Sequence, residues 1–208
     1  MNLALFGGTF DPVHRGHLEV ARAARRECFL DKILFIPAAH PPHKPEPCVA
    51  DYEHRFEMTR LASADHAAFE ASRLEAPGRD HGRNYTYHTI RRVAAQLTSA
   101  DRLFFLIGTD AFRELASWYR WRHVMALVEF IVVNRPGFTL EESMIPPGAR
   151  VHLLRSVHSP VSSSDVRRRL GSAQSVRAML PPAVARYIDK YQLYRPARAR
   201  RGSAAKAR

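Results

Sequence analysis

Two cysteines in 208 residues, Cys28 and Cys48, form neither a CxxC pair nor a disulfide framework, so both read as ordinary thiols of a reducing compartment. No apolar run approaches the roughly 20 residues that a spanning helix needs. The first apolar stretch, Leu3 to Phe6, is cut by Gly7-Gly8 before it could serve as a signal peptide, and a cytoplasmic protein with no membrane partner is expected. Two nucleotide signatures are missing as well. Without GxxxxGK[ST] there is no P-loop lysine or magnesium-ligating hydroxyl, and without GxGxxG no dinucleotide-binding turn is indicated. Acid is in short supply: twenty Asp plus Glu against thirty-two Lys plus Arg leave +12, which favours an anionic partner such as phosphate, nucleotide, nucleic acid or acidic lipid.

What is present describes a globular chain, 46% hydrophobic and 25% charged, which excludes disorder and collagen. Six of the excess positive charges fall in Arg195 to Arg208, a stretch with no acid and little to bury. That segment is expected to be a disordered basic tail, solvated in the first reading and in weak contact with nucleic acid in the second. Aromatic residues do not interleave with it, so it lacks a stacking platform for a single strand, and no specific nucleic-acid partner is expected.

Short continuous apolar runs at Leu3 to Phe6, Ile33 to Ile36, Phe104 to Ile107, Phe130 to Val133 and Val151 to Leu154 show no period-two alternation, as suits strands buried on both faces. Helical patterns lie between them at 15–29, at about 51–63, at 86–98 with Tyr87, Ile90, Ala94 and Leu97 on one face, and in a broken stretch around 110–127. This alternation predicts an α/β fold, Rossmann-like and doubly wound on a mostly parallel sheet. A small C-terminal helical segment follows. Ser162 to Leu170 reads as a short helix ended by Gly171, and Pro182 opens a last helix whose Val184, Tyr187, Ile188 and Tyr191 form a core stripe. One domain is expected over residues 1–194. In open parallel sheets ligands bind beyond the carboxyl ends of strands, so the loops after the apolar runs are where chemistry is sought.

The first of these loops reads Gly7-Gly8-Thr9-Phe10-Asp11-Pro12-Val13-His14-Arg15-Gly16-His17 and opens the first helix. Glycines let backbone approach a ligand closely, and a helix start offers free N–H groups and a positive dipole end to an anion. His14 and His17, three residues apart, could face one anion together. Two imidazoles at that spacing could also ligate zinc or face solvent, although no third ligand at metal spacing accompanies them.

The motif resembles the GGxFDPxHxGH signature of HxGH nucleotidyltransferases, and specifically of the bacterial nicotinate-nucleotide adenylyltransferase family. Pro41-Pro42-His43-Lys44, Asn84-Tyr85-Thr86, Gly108-Thr109-Asp110, Trp118-Tyr119, Arg135-Pro136-Gly137 and Ser162-Ser163-Ser164-Asp165-Val166-Arg167 are similar to family elements in family order, covering about residues 3–194 with the closing Leu180-Pro181-Pro182 and Leu193-Tyr194. Ser164 departs from the usual Thr of the ISSTxxR pattern but keeps a hydroxyl. The segment after Tyr194 matches nothing in the pattern.

The resemblance implies transfer of an adenylyl group from ATP to the phosphate of nicotinate mononucleotide, giving nicotinate adenine dinucleotide and pyrophosphate. Such a phosphate is already largely dianionic at neutral pH and needs no base, so positioning and fixed cationic donors should suffice. By carry-over, His14 and His17 go to the triphosphate, with His17 stabilising charge in the transition state, and Arg167 with Ser162 and Ser163 holds the β and γ phosphates. Gly7, Gly8, Thr9, Phe10, Lys44 and Gly108 complete the ATP site, with Asp110 on a ribose hydroxyl. Arg135 would neutralise the mononucleotide phosphate, Trp118 stack on the pyridinium ring, and Tyr85, Thr86 and Tyr119 flank the nicotinate carboxylate. Trp121 is read as structural, Asp11 and Pro12 as shaping the turn, and His40 and His43 as loop residues. Mg2+ would ride on ATP phosphates, with no metal-binding side chains of its own. Self-association is left open.

Two rivals stand beside this reading. A phosphopantetheine transferase of the same superfamily would share the histidine motif and the serine–arginine helix, in a shorter chain lacking Trp118 and Arg135-Pro136-Gly137. A non-catalytic nucleic-acid binder, motivated by charge alone, would lose its ligand on deletion of 195–208, whereas an enzyme would keep its turnover.

Overall fold

A computed structural model of the chain describes residues 1–39, 48–78, 84–134, 140–155 and 161–195. Six parallel strands form one sheet: β1 Asn2–Gly8, β2 Lys32–Pro37, β3 Phe69–Ala71, β4 Arg102–Gly108, β5 Glu129–Val133 and β6 Val151–Leu154, in the order β3-β2-β1-β4-β5-β6. The expected α/β, doubly wound, Rossmann-like architecture is therefore the observed one. Five strands match the apolar runs; the sixth, β3, is a three-residue edge strand, too short and too polar at Glu70 to stand out in sequence.

Helices cover both faces, and successive strand residues go to opposite layers. Ala4, Ile33, Phe35, Phe104, Leu106 and Ile131 pack on one side with α1 Arg15–Glu27, α2 Tyr52–Ser63, α6 Ser163–Gly171 and α7 Pro182–Tyr191. Leu3, Leu5, Ile36, Phe105, Ile107, Phe130 and Val132 pack on the other with α3 Thr86–Ala94, α4 Thr109–Arg113 and α5 Trp121–Leu127. Burial on both faces is why those strands lack a polar alternation.

Helix ends differ from the sequence reading for local reasons. α1 stops at Glu27 rather than 29 because Phe29 takes left-handed backbone (φ 51°) and turns outward. α3 stops at Ala94 rather than 98, where Thr98 instead donates its amide and hydroxyl to the Asp101 carboxylate in a tight turn, yet Leu97 still packs on the core. The stretch around 110–127 splits into α4, a single 3₁₀ turn at Leu115–Ser117, and α5. In the last helix Val184 and Ile188 are fully buried, but Tyr187 is only partly so and Tyr191 is exposed, so the expected core stripe is half core and half surface.

The order of strands reverses between β1 and β4, a switch point beyond whose carboxyl ends open parallel sheets form their ligand crevice. Gly7, Gly8 and Gly108 lie there.

Candidate active site

β1 delivers the glycine loop to that crevice. A Cβ at Gly8 would stand 3.1 Å from the Phe10 ring and press it from its place by a few tenths of an ångström, and Phe10 takes left-handed backbone (φ 47°) to pack there. The Phe10 side chain, expected at ATP, is 1% exposed and packs against Phe6, Phe35 and His17, with ring centroids 5.5, 5.7 and 5.0 Å away. A buried ring cannot line a nucleotide site; only its main chain can.

His14 is the N-cap of α1, and His17, two positions into the first turn after Arg15, reaches back so that its Nδ1 accepts the His14 N–H at 3.2 Å. That bond puts the neutral ring's proton on Nε2, leaving a donor on the far edge. The two imidazoles stack with centroids 3.7 Å apart and 28° between planes. The first turn of α1 contains no acid, so its positive dipole end is uncompensated.

α6 is clamped onto this loop. Ser163 Oγ donates to the Pro12 carbonyl at 2.9 Å, and Arg167 donates from Nη1 to the Asp11 carbonyl at 2.8 Å and from Nη2 to Ser164 Oγ at 3.3 Å. Ser162 is a true N-cap whose Oγ accepts the Asp165 amide at 3.1 Å. The Ser163 hydroxyl, by donating to Pro12, also acts as the clamp between α6 and the loop. Two helix N-termini, two imidazoles and one guanidinium thus share one loop.

Beyond β4, Gly108 caps α4 and Asp110 lies in its first turn, while Thr109 Oγ1 donates to the Val133 carbonyl at 3.0 Å and ties this corner to β5. The Trp118 ring is half-buried and meets Phe105 edge-on at 6.0 Å. A Cβ on Gly7 would rest on the same Phe105 ring at 3.6 Å, so Phe105 links the glycine loop to Trp118 across the crevice. Tyr85, the N-cap of α3, lies 5.0 Å from the exposed Tyr119 ring, with Thr86 beside it as the first helical residue. Trp121 packs on the core, as the sequence indicates. Lys44, His40, His43 and Arg135, together with the segment from 196 onward, lie outside the described residues.

The sequence reading missed Arg55 altogether and the buried contacts of Asp11 and Tyr194. Asp11, read there as shaping the turn, is 3% exposed and accepts the amides of Val49 (2.8 Å) and Ala50 (3.2 Å) and the hydroxyl of Tyr194 (2.7 Å). Arg55, 1% exposed, donates from Nε to the Ala50 carbonyl (3.1 Å) and from Nη1 to the carbonyls of Thr9 (2.7 Å) and Ala38 (2.8 Å). A signal for Arg55 existed: it shares the inner stripe of α2 with Tyr52, Met58, Thr59 and Ala62, where a cation has no place without partners. Tyr194 stands among the closing family elements in sequence, but nothing local pointed to its partner, which is 183 positions away.

The profile of the cytidylyltransferase-like family matches residues 5–169. A probable nicotinate-nucleotide adenylyltransferase of Solibacter usitatus is 48% identical over 93% of this chain and all of that protein. One from Thermus thermophilus is 43% identical over 94% of this chain and again the whole relative. Among solved structures, Plasmodium falciparum nicotinic acid mononucleotide adenylyltransferase complexed with NaAD superposes with a TM-score of 0.75 at 20% identity, covering 93% of this chain and 97% of that one.

Proposed function

The chain belongs to the cytidylyltransferase-like family and, within it, to the nicotinate-nucleotide adenylyltransferases, and from that premise we propose how its residues divide the work of the reaction. The enzyme joins ATP and nicotinate mononucleotide into nicotinate adenine dinucleotide in NAD biosynthesis. A mononucleotide phosphate oxygen bonds to the α-phosphorus of ATP while the α–β bridging oxygen leaves with pyrophosphate. The nucleophile needs no proton removed, so the protein's task is to hold two anions in line and to neutralise the leaving group.

In our reading His14, His17 and Arg167 carry that task. His17 donates from Nε2 to the triphosphate, Arg167 uses the N–H groups not spent on Asp11 and Ser164, and the amides at the starts of α1 and α6 add fixed positive ends. The observation that carries this is the clamp itself: Ser163 and Arg167 bond to the very loop that bears both histidines. Gly7, Gly8, Gly108 and the main chain of Thr9 and Phe10 give ATP close approach, Ser162 presents the start of α6, and Asp110 accepts from a ribose hydroxyl. Lys44 and Arg135 keep the phosphate roles that the family pattern implies. Trp118 stacks on the pyridinium ring, and Tyr85, Thr86 and Tyr119 flank its carboxylate.

Mg2+ enters with ATP on phosphate oxygens and water. Among the described residues no helix is long and apolar enough to cross a membrane, and water-soluble nucleotide substrates place the work in the cytoplasm in our reading. The test is pyrophosphate release from ATP with nicotinate mononucleotide, nicotinamide mononucleotide and phosphopantetheine in turn. Release with nicotinate mononucleotide and none with phosphopantetheine is expected; release driven by phosphopantetheine alone overturns the reading.

A further inference from the structure

We propose that Tyr194 is a positioning residue for catalysis: its hydroxyl holds the buried Asp11 carboxylate away from Arg167, so that the guanidinium stays available to the ATP phosphates. The inference rests on the adenylyl-transfer reading given above.

The geometry begins with an unusual chain path. After α7, Gln192 and Tyr194 both take left-handed backbone (φ 50° and 63°), which is costly for side chains bearing a Cβ. The path turns Leu193 and Tyr194 inward, each 8% exposed, and sends the tyrosine ring beneath the motif loop. There its hydroxyl donates to Asp11 Oδ1 at 2.7 Å. The phenol stays protonated far above neutrality, because burial and the Asp11 charge both oppose its ionisation, so it is a fixed donor.

Asp11 serves two neighbours with different atoms. Its carboxylate accepts from Tyr194, Val49 and Ala50, and its main-chain carbonyl accepts from Arg167. Arg55 counters the carboxylate from behind through the Ala50 peptide, whose N–H faces Asp11 and whose C=O faces Arg55, and the same guanidinium pins Thr9. Removing the Tyr194 hydroxyl leaves a buried carboxylate oxygen with one donor fewer. The candidate replacement is Arg167, already hydrogen-bonded to the same residue and able to spare further N–H groups. An Asp11–Arg167 ion pair would take from ATP the cation that the site needs.

This predicts a specific split. Tyr194→Phe should raise KM for ATP by about 10-fold, the equivalent of one charged hydrogen bond, while KM for nicotinate mononucleotide changes less than about 2-fold. Adding Asp11→Asn should restore ATP use to within about 3-fold of wild type, because a neutral amide has no charge with which to capture Arg167. A merely structural tyrosine gives the opposite pattern: fewer folded molecules, lower kcat, both KM values unchanged and a double variant worse than the single one. That pattern, or an ATP KM within 2-fold of wild type in Tyr194→Phe, overturns the proposal. Should the double variant not fold, calorimetric titration of folded Tyr194→Phe with ATP alone decides, an unchanged Kd counting against us. Wild-type protein that binds ATP yet releases no pyrophosphate with either mononucleotide would sink the functional reading instead, leaving the titration to report on Tyr194.

Discussion

Imidazole at position 17 does two things that no other side chain does from the first turn of a helix. Through Nδ1 it accepts the His14 amide, and through the opposite edge it offers a directed donor that can also carry charge. His17→Ala is accordingly expected to lower kcat by about 10²–10³, as when a preorganised charge-stabilising donor is removed. Pyrophosphate release under saturating substrates measures it; a near-normal kcat with a lowered Tm would reduce His17 to a cap. Trp118 is half-buried, packs against the core and meets Phe105 edge-on, and in our reading its exposed part stacks on the pyridinium ring. Trp118→Ala should raise KM for the mononucleotide about 10-fold, within the range for an indole facing a desolvated cation, and leave ATP binding nearly unchanged. Equal damage to both substrates would identify the ring as core. At this scale the sequence was most legible where a motif marks residues that the fold then gathers, as it gathers His14, His17 and Arg167 at one loop. It was least legible where a residue works by burial, since nothing local distinguishes Phe10 as a packing ring from Phe10 as a ligand contact.

Among elements, α6 has the most to do, because one short helix both presents its N-terminus and clamps the motif loop. Its N-cap is therefore a point where stability and activity meet. Ser162→Ala should cost about 1 kcal/mol, seen as a Tm lower by about 2–4 °C, and should weaken ATP more than the mononucleotide. Calorimetric unfolding and the two KM values check this, and a loss of Tm with both KM values untouched would separate the cap from the site. The helix was legible from its serine start and glycine end. Its attachment to Asp11 and Pro12, 156 and 151 positions earlier, was not, because a side-chain bond to a distant carbonyl leaves no local pattern.

For the whole molecule the division of labour runs between the two ends of the sheet. At the end away from the crevice, Glu129 accepts from Arg102 at 3.0 and 2.7 Å and lies 2.8 Å from His152 and 3.8 Å from Arg150. The Arg102 guanidinium above all, then His152, hold the Glu129 carboxyl at about 2, below its ordinary 4.5. A depressed carboxyl adds stability that is present above its unfolded value and is lost as pH falls through the folded one, so this contribution should disappear between about pH 4.5 and 2. Arg102 is half exposed, which screens the pair to about 1 kcal/mol. Glu129→Gln should flatten the acid limb of the stability curve by that amount while leaving kcat at neutral pH unchanged, as chemical denaturation across the pH range would reveal. Deleting 196–208 should likewise leave turnover intact while removing any salt-sensitive retention on nucleic acid; lost turnover would show that the basic segment belongs to the enzyme. Composition, apolar runs and one loop determined by themselves that this chain is an α/β protein of the nucleotidyltransferase kind, because strand burial and phosphate chemistry both constrain residue type at short range. Only the tertiary structure decided that Asp11, Arg55 and Tyr194 meet beneath that loop, since a buried charge selects its partners by proximity in space, which chain separation does not encode.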